Sequence, residues 1–568
     1  MKKILIYAML SLMLITSVDA QKENKETAKE KDKRMAWFKD AKLGIFIHYG
    51  IYAVNGIDES WSFFNGYINY DDYMKQLDGF TASKYNPQDW ARLFKESGAK
   101  YAVLTSKHHD GVALWDSKTD HFNTVKNTPA KKDIVAPFVE ALRKEKLKVG
   151  LYYSLIDWSY PDYPAHLRNE KRYTKDPERW SNFTDFYFAQ MNELSSRFDP
   201  DLYWFDGDWE HSAEEWKSKE LRKLMLSYNK NVILNSRLRG YGDYDTPEQG
   251  VPIRKPNNPY WELCMTMNDS WGYQHNDHNY KTPYQMIRIF VDCISMGGNL
   301  LLDIGPKADG SIPEPQLEIL NEFGRWTKKH SEAIYGTRAG IEQKYFTGPS
   351  ALSKDGETLY LYIDRQPNGA IMVNGLDVDV KSVRVVGKNA DLSFKLDNNL
   401  LSFDLDANDC DPTMTVVAVK LKQSIKLVEP TTSLNEYELA EVMKNTSWQK
   451  KHQIALNNMG DPIPTGHYNG PTALSKDKTI LYLMVDGKNN GPLVVRGLKN
   501  KINRIWVVGN GTKLSHKENG KLYWSNTPGI TYIDLPEKVL DKDMTVIAVL
   551  LDGQLDLYRG KGHVIESN

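Results

Sequence analysis

Cysteine is scarce: the chain has only Cys264, Cys293 and Cys410 in 568 residues. Their odd number and spacing argue against a disulfide scaffold and match no zinc-ligand pattern, so buried free thiols are expected. Long hydrophobic runs are also lacking. After the first twenty residues no stretch approaches the ~20 apolar residues that a membrane span needs. Net charge is nearly absent, with 73 basic against 74 acidic residues. No overall field therefore draws the protein to a polyanion or an anionic bilayer, and nucleic acid is not an expected partner. What the chain does have is aromatic side chains: 15 Trp, 32 Tyr and 18 Phe. They supply core material for several domains and flat faces on which sugar rings pack.

At the N-terminus Lys2 and Lys3 precede an apolar run over residues 4–15 that ends in Val18-Asp19-Ala20. This is the layout of a signal peptide, predicting removal of residues 1–20 and export to the periplasm or the cell exterior. Residues 21–34 are almost wholly polar and read as a flexible leader. From 35 to 338 short β-rich runs alternate with amphipathic helical stretches, the rhythm of βα units around a parallel sheet. Strands are expected at 44–48, 101–107, 148–154, 201–206, 231–236, 261–265 and 299–303. Helices are expected after Asn86-Pro87, closing at Gly98, and from Asp133 to Lys146. The fold class is α/β: a (β/α)8-like TIM barrel, although only seven strands are visible. No Gly-rich phosphate loop follows the first strand, which argues against a nucleotide-binding open sheet.

Beyond the barrel the pattern becomes β-only and repeats. "GPSALSKD" from Gly348 returns as "GPTALSKD" from Gly470, 122 residues later, and "MTVVAV" from Met414 returns as "MTVIAV" from Met544. Two homologous β-sandwiches are expected at 339–422 and 460–560. Residues 423–459 form a linker with a helical run at 435–444.

Polar and titratable residues gather where the barrel strands end. The run 45–47 stops at His48, the next strand at His108-His109-Asp110, and "DLYWFDGDW" at Asp206. The C-terminal rim of such a barrel is its active face, so repeated polarity there points to chemistry. Alternation puts Trp204 and Asp206 on one face, and Gly207 lets the backbone turn out of the sheet behind the carboxylate. An Asp at a strand exit also suits a helix cap or a turn, and Asp208 is a competing carboxylate. "HHD" offers metal-binding residue types but no partner spacing.

Seven motifs occur in order: "GIFIHYGIYAV", "SKHHDGVALWDS", "GLYYSLIDW", "WFDGDWE", "DYDTPEQ", "WELCMTMNDSWGY" and "GGNLLLDIGPKADGSIP". Together, over about residues 36–337, they resemble the α-L-fucosidases of glycoside hydrolase family 29. The resemblance implies a retaining exo-glycosidase acting on terminal α-linked fucose of oligosaccharides or glycoconjugates, with no metal and no organic cofactor. Retaining hydrolysis needs a nucleophilic carboxylate and an acid/base about 5–5.5 Å apart. By resemblance Asp206 is the nucleophile, and Glu248 in "TPEQ", 42 residues later, is the acid/base. Glu59 in "DESW" is the rival for that role, or a residue that orients the sugar or the acid. His48, His108, His109, Tyr153 and Arg237 match sugar-binding positions, and Trp61, Trp204 and Trp271 match aromatic ones. The second β repeat departs from family members with one β domain, and the resemblance gives it no role. Two other readings stay open: a retaining enzyme for a fucose-like sugar such as α-L-galactose, and a non-catalytic glycan-binding protein.

Overall fold

The structure, a computed structural model, describes residues 26–388, 391–520 and 527–560. The expected signal segment 1–20 and the start of the leader lie outside the described residues. The rest of the leader is not flexible chain. Helix α1 (Ala28–Ala41) opens with a capping box between Thr27 and Glu30, which satisfies backbone donors at its first turn. Arg34 is buried and pairs with Glu26 at 2.6 Å and Asp243 at 2.8 Å. Met35 and Phe38 fill the interior of the sheet beside Phe46, Tyr152 and Trp204. The leader's polarity disguised this because its anchoring group is a charged residue whose charge is paired on burial.

Seven parallel strands form a curled sheet: β1 (Leu43–Ile47), β2 (Tyr101–Lys107), β3 (Lys148–Ser154), β4 (Leu202–Asp206), β5 (Ile233–Leu234), β6 (Glu262–Thr266) and β7 (Asn299–Ile304). Their spatial order is β5-β4-β3-β2-β1-β7-β6. Buried, almost uniformly apolar runs are what a sheet covered on both faces requires. Between them run α2 (Pro87–Glu96), α3 (Val135–Lys144), α4 (Pro177–Phe198), α5 (Ser218–Tyr228) and α6 (Pro283–Ser295), followed after β7 by α7 (Glu314–Lys329). Asn86 caps α2, with Pro87 in its first turn.

The two edges of the sheet are joined by a segment that reads poorly as a strand. Parallel bridges link Asn235 to Tyr244, Asp245 to Trp261 and Glu248 to Cys264. Residues 244–248 therefore lie between β5 and β6. Pro247 lacks a donor and the segment carries no apolar run, so its pairing is irregular and periodicity does not show it.

The β-rich half contains two units, each with two antiparallel sheets over one apolar core. In the first, a six-stranded sheet faces the strands Ile371–Val373, Leu400–Phe403 and Phe394–Asp397. In the second, a four-stranded sheet faces Leu493–Val495, Ile530–Ile533 and His516–Asn519. Arg365 and Gln366 pair with Asn489 and Lys488, tying the units together. The segment read as a linker holds α8 (Leu434–Val442) and α9 (Thr446–Asn458), and α9 extends beyond the helical run expected there. Helix α9 repeats the end of α7. Trp326 Nε1 donates to Met414 O at 2.9 Å and Lys329 pairs with Asp411; Trp448 Nε1 donates to Met544 O at 2.7 Å and Lys451 pairs with Asp541. "WTKKH" and "WQKKH" stand 122 residues apart, so the repeated unit is a helix plus the antiparallel β unit it packs on. Cys264 and Cys293 are free and buried; Cys410 is free and half-buried.

Candidate active site

Asp206 is the last residue of β4, and Gly207 behind it adopts φ 82°. A Cβ at Gly207 would meet Ile156 at 2.6 Å, so only glycine permits this turn. The Asp206 carboxylate accepts from Arg237 Nη1 at 2.6 Å and from Tyr152 OH at 3.0 Å. The same guanidinium donates through Nη2 to Glu248 Oε2 at 2.5 Å. Arg237 also lies over the Trp204 ring, 4.4 Å from its centroid. Burial works against the Arg237 charge, but Asp206 and Glu248 more than offset it and hold the group well above the usual arginine range. One planar cation thus fixes two carboxyls side by side. Asp208 lies apart, in the following turn, 3.8 Å from Arg239 Nε.

Three histidines line the neighbouring strand ends. His48 Nδ1 meets Asp303 Oδ1, His108 Nδ1 meets Ser60 Oγ and His109 Nδ1 meets Ser154 Oγ, each at 2.6 Å. Burial drives all three below the ordinary imidazole range; for His109, burial with the Lys107 and Arg237 charges brings it to about 3. They are neutral rings able to donate to or accept from hydroxyls. His109 Nε2 is buried without a hydrogen-bond partner and stands 3.7 Å from Asp206 Oδ2. That nitrogen, beside the carboxylate, has hydrogen-bonding capacity to offer a hydroxyl.

Aromatic rings close the sides. Trp271 lies 5.1 Å from the His48 ring, and Trp61 lies 5.5 Å from the His109 ring. Trp209, 44% exposed, lies parallel to Trp61 at 6.3 Å. Glu59 is buried, and its Oε1 accepts from Gly272 N at 2.5 Å. Burial, then the Asp58 carboxylate beside it, raises Glu59 to about 7. Its hydrogen bonds reach neither Asp206 nor Arg237.

Of the residues read from the sequence, His48, His108, His109, Trp204, Asp206, Arg237 and Glu248 converge, with Trp61 and Trp271 at the sides and Glu59 beyond the His48 side. Tyr153 does not join them. Its hydroxyl donates to Gln190 on α4 and receives Lys107 Nζ, so it faces the helical layer. The site-facing residue is Tyr152, paired in register with Trp204. Side chains alternate along a strand, so moving one residue along it reverses the face. Tyr152, Trp209 and Asp303 were all missed; the parity of β3 against β4 would have found Tyr152, but one chain alone does not display strand register. Glu262, also missed, lies deeper in the sheet interior, accepting from Trp204 Nε1 at 3.0 Å and Tyr101 OH at 2.5 Å. Burial raises it to about 7.

The α-L-fucosidase family model matches residues 11–332. The chain belongs to the α-L-fucosidase family. It is accordingly a glycoside hydrolase that releases fucose. A curated α-L-fucosidase of Branchiostoma floridae is 34% identical over 337 residues, covering 53% of this chain and 72% of the relative. The structure of α-L-fucosidase isoenzyme 1 from Paenibacillus thiaminolyticus is 34% identical with a TM-score of 0.65, covering 69% of this chain and all of that one. A Bacteroides thetaiotaomicron α-L-fucosidase, trapped as a covalent intermediate in complex with 2-fluoro-fucosyl fluoride, is 27% identical with a TM-score of 0.63, covering 69% of this chain and 96% of that one. Both structures are matched almost end to end while part of this chain has no counterpart in them. Among the described residues no helix is long and apolar enough to cross a membrane.

Proposed function

We propose that this family member is a retaining exo-α-L-fucosidase that removes terminal α-linked L-fucose from oligosaccharides or glycoconjugates by double displacement. The observation that carries the reading is the Arg237 guanidinium shared between Asp206 and Glu248. Asp206 attacks the anomeric carbon while Glu248 protonates the departing glycosidic oxygen, giving a fucosyl ester and a free alcohol. Glu248 then takes a proton from water, which attacks the same carbon and releases Asp206. Once the ester forms, the Asp206 charge is gone and Arg237 faces Glu248 alone, as the carboxylate that the second step requires. Tyr152 donates to Asp206 and keeps one lone pair aimed, while the neutral histidines bind sugar hydroxyls. Trp61 and Trp271 supply apolar walls suited to a 6-deoxy sugar. Supporting the retaining route, the Bacteroides relative was captured as a covalent intermediate.

Glu59 fits the role of a neutral hydrogen-bond donor better than that of acid/base, because its bonds run away from Asp206. The deciding experiment is azide rescue on an activated aryl α-L-fucoside. Glu248→Ala should regain turnover as azide replaces water at the fucosyl-enzyme; rescue of Glu59→Ala alone would reverse the assignment. The reading extends to the architecture, a (β/α)8-like barrel with residues 244–248 in the eighth strand position, followed by two β-sandwich domains. It also extends to export after cleavage behind Ala20, which the N-terminal sequence of the protein recovered from its host checks directly.

A further inference from the structure

The second β unit meets the barrel at its catalytic rim. Ile530 and Tyr532 of the strand Ile530–Ile533 belong to the same apolar cluster as helix α6. Arg496 pairs with Asp292 of α6 at 3.1 Å. From this anchorage the unit touches the loop that carries Glu248. A Cβ on Gly250 would stand 3.2 Å from Thr527 Cγ2, and one on Gly520 would stand 3.2 Å from Gln249 O. A Cβ on Gly466 would lie 3.0 Å from Ile253 O. Lys517 hydrogen-bonds Asn279, on the loop between β6 and α6 that also bears Trp271. These approaches set the second unit directly against the outer side of the loop. On the barrel side the loop is held by the Glu248–Cys264 bridge and by Gln249 Nε2 donating to Thr266 Oγ1 at 2.9 Å. The acid/base loop is therefore clamped between β6 and the second β unit.

We propose that the second β unit is a positioning element of the catalytic centre, holding the Glu248 loop so that its carboxyl stays beside Asp206 across Arg237. This rests on the reading of Glu248 as acid/base. General acid/base groups contribute roughly 10²–10⁴ in rate, and a displacement of about 1 Å is enough to forfeit much of that. Thr527 touches the Glu248 loop, and Lys517, on the strand His516–Asn519, ties the same unit to the neighbouring β6–α6 loop; neither lies in the catalytic machinery, so their effect must pass through these loop contacts.

The test uses the full chain with Thr527→Trp, which wedges the contact, Thr527→Ala, which loosens it, and Lys517→Ala. kcat/KM, which reports the glycosylation step, is measured on a natural fucosyl-disaccharide and on fucosyl fluoride, whose leaving group needs far less proton assistance. Thr527→Trp should lower the disaccharide value about tenfold or more and the fluoride value far less. The other two variants should split the substrates in the same direction, with the thermal midpoint preserved. Equal losses on both substrates, or no loss in any folded variant, overturn the proposal. If Thr527→Trp does not fold, the other two decide by the same ratio. Glu248→Ala is assayed alongside. If it shows no substrate split, the acid/base reading fails and the positioning role fails with it. If it splits the substrates and the Thr527 and Lys517 variants do not, the positioning role alone fails.

Discussion

Replacing Glu262 by Leu and by Gln isolates what a buried carboxyl does beneath the candidate active site. Glu262 is fully buried and accepts from Trp204 Nε1 and Tyr101 OH. Glu262→Leu leaves both donors unpaired; at about 1–3 kcal/mol each, the loss of stability is about 2–6 kcal/mol. Trp204 also loses its anchor, and Arg237, stacked over its ring, moves with it, so kcat/KM falls too. Glu262→Gln keeps a neutral acceptor and a group of the same shape. Burial raises the wild-type carboxyl from the ordinary 4.5 to about 7, so the folded state holds a proton that the unfolded chain releases in between. That stabilisation is complete below pH 4.5 and is lost as pH rises through 7, a change of about 3 kcal/mol. Thermal midpoints of wild type and Glu262→Gln measured at pH 4.5 and pH 8 check this: the variant should gain several degrees relative to wild type at the higher pH. An identical difference at both pH values refutes the protonated carboxyl. A Leu variant as stable as wild type refutes its role in holding Trp204.

Other expectations follow from single contacts. Tyr152→Phe removes a hydrogen bond to a charged carboxylate, worth about 1.5–3 kcal/mol, so kcat/KM should drop by roughly ten- to a hundredfold. Tyr153→Phe, on the opposite face of β3, should leave kinetics unchanged and cost about 1 kcal/mol of stability through Gln190 and Lys107; equal kinetic effects would contradict the register of β3 with β4. Trp448→Phe should lower the melting midpoint, because Met544 O loses its donor at a cost of about 1–3 kcal/mol, without changing kcat/KM at temperatures where the fold is intact. A neutral outcome in melting would deny that α9 packs on the second unit as α7 does on the first.

Where apolar runs end abruptly in polar residues, the sequence is a close guide. The strands expected at 101–107 and 148–154 coincide with those of the structure, and His48, His108, His109 and Asp206 stand at or just beyond strand ends. Three things resisted reading for physical reasons. Residues 244–248 pair through isolated bridges around Pro247 and have no period to detect. The inward face of β3 depends on its register with β4, a non-local property that moves the role from Tyr153 to Tyr152. Polar residues whose charges or hydrogen bonds are satisfied inside the protein, Arg34 and Glu262, look like surface residues until their partners are known. The helix within the repeat was hidden differently: "WTKKH" and "WQKKH" are short, and their meaning lies in the carbonyls of Met414 and Met544 that the two indoles find across the fold.

On the proposed mechanism Asp206 is the carboxylate that bonds to the sugar. Incubation with 2-fluoro-fucosyl fluoride, which slows release of the fucosyl-enzyme more than its formation, followed by proteolysis and mass spectrometry, locates the bond. A single labelled peptide is expected, with the fluorofucosyl ester on Asp206 and none formed in Asp206→Asn. A label on Asp208, Glu59 or Glu248, or turnover retained by Asp206→Asn with no covalent adduct in wild type, would contradict it.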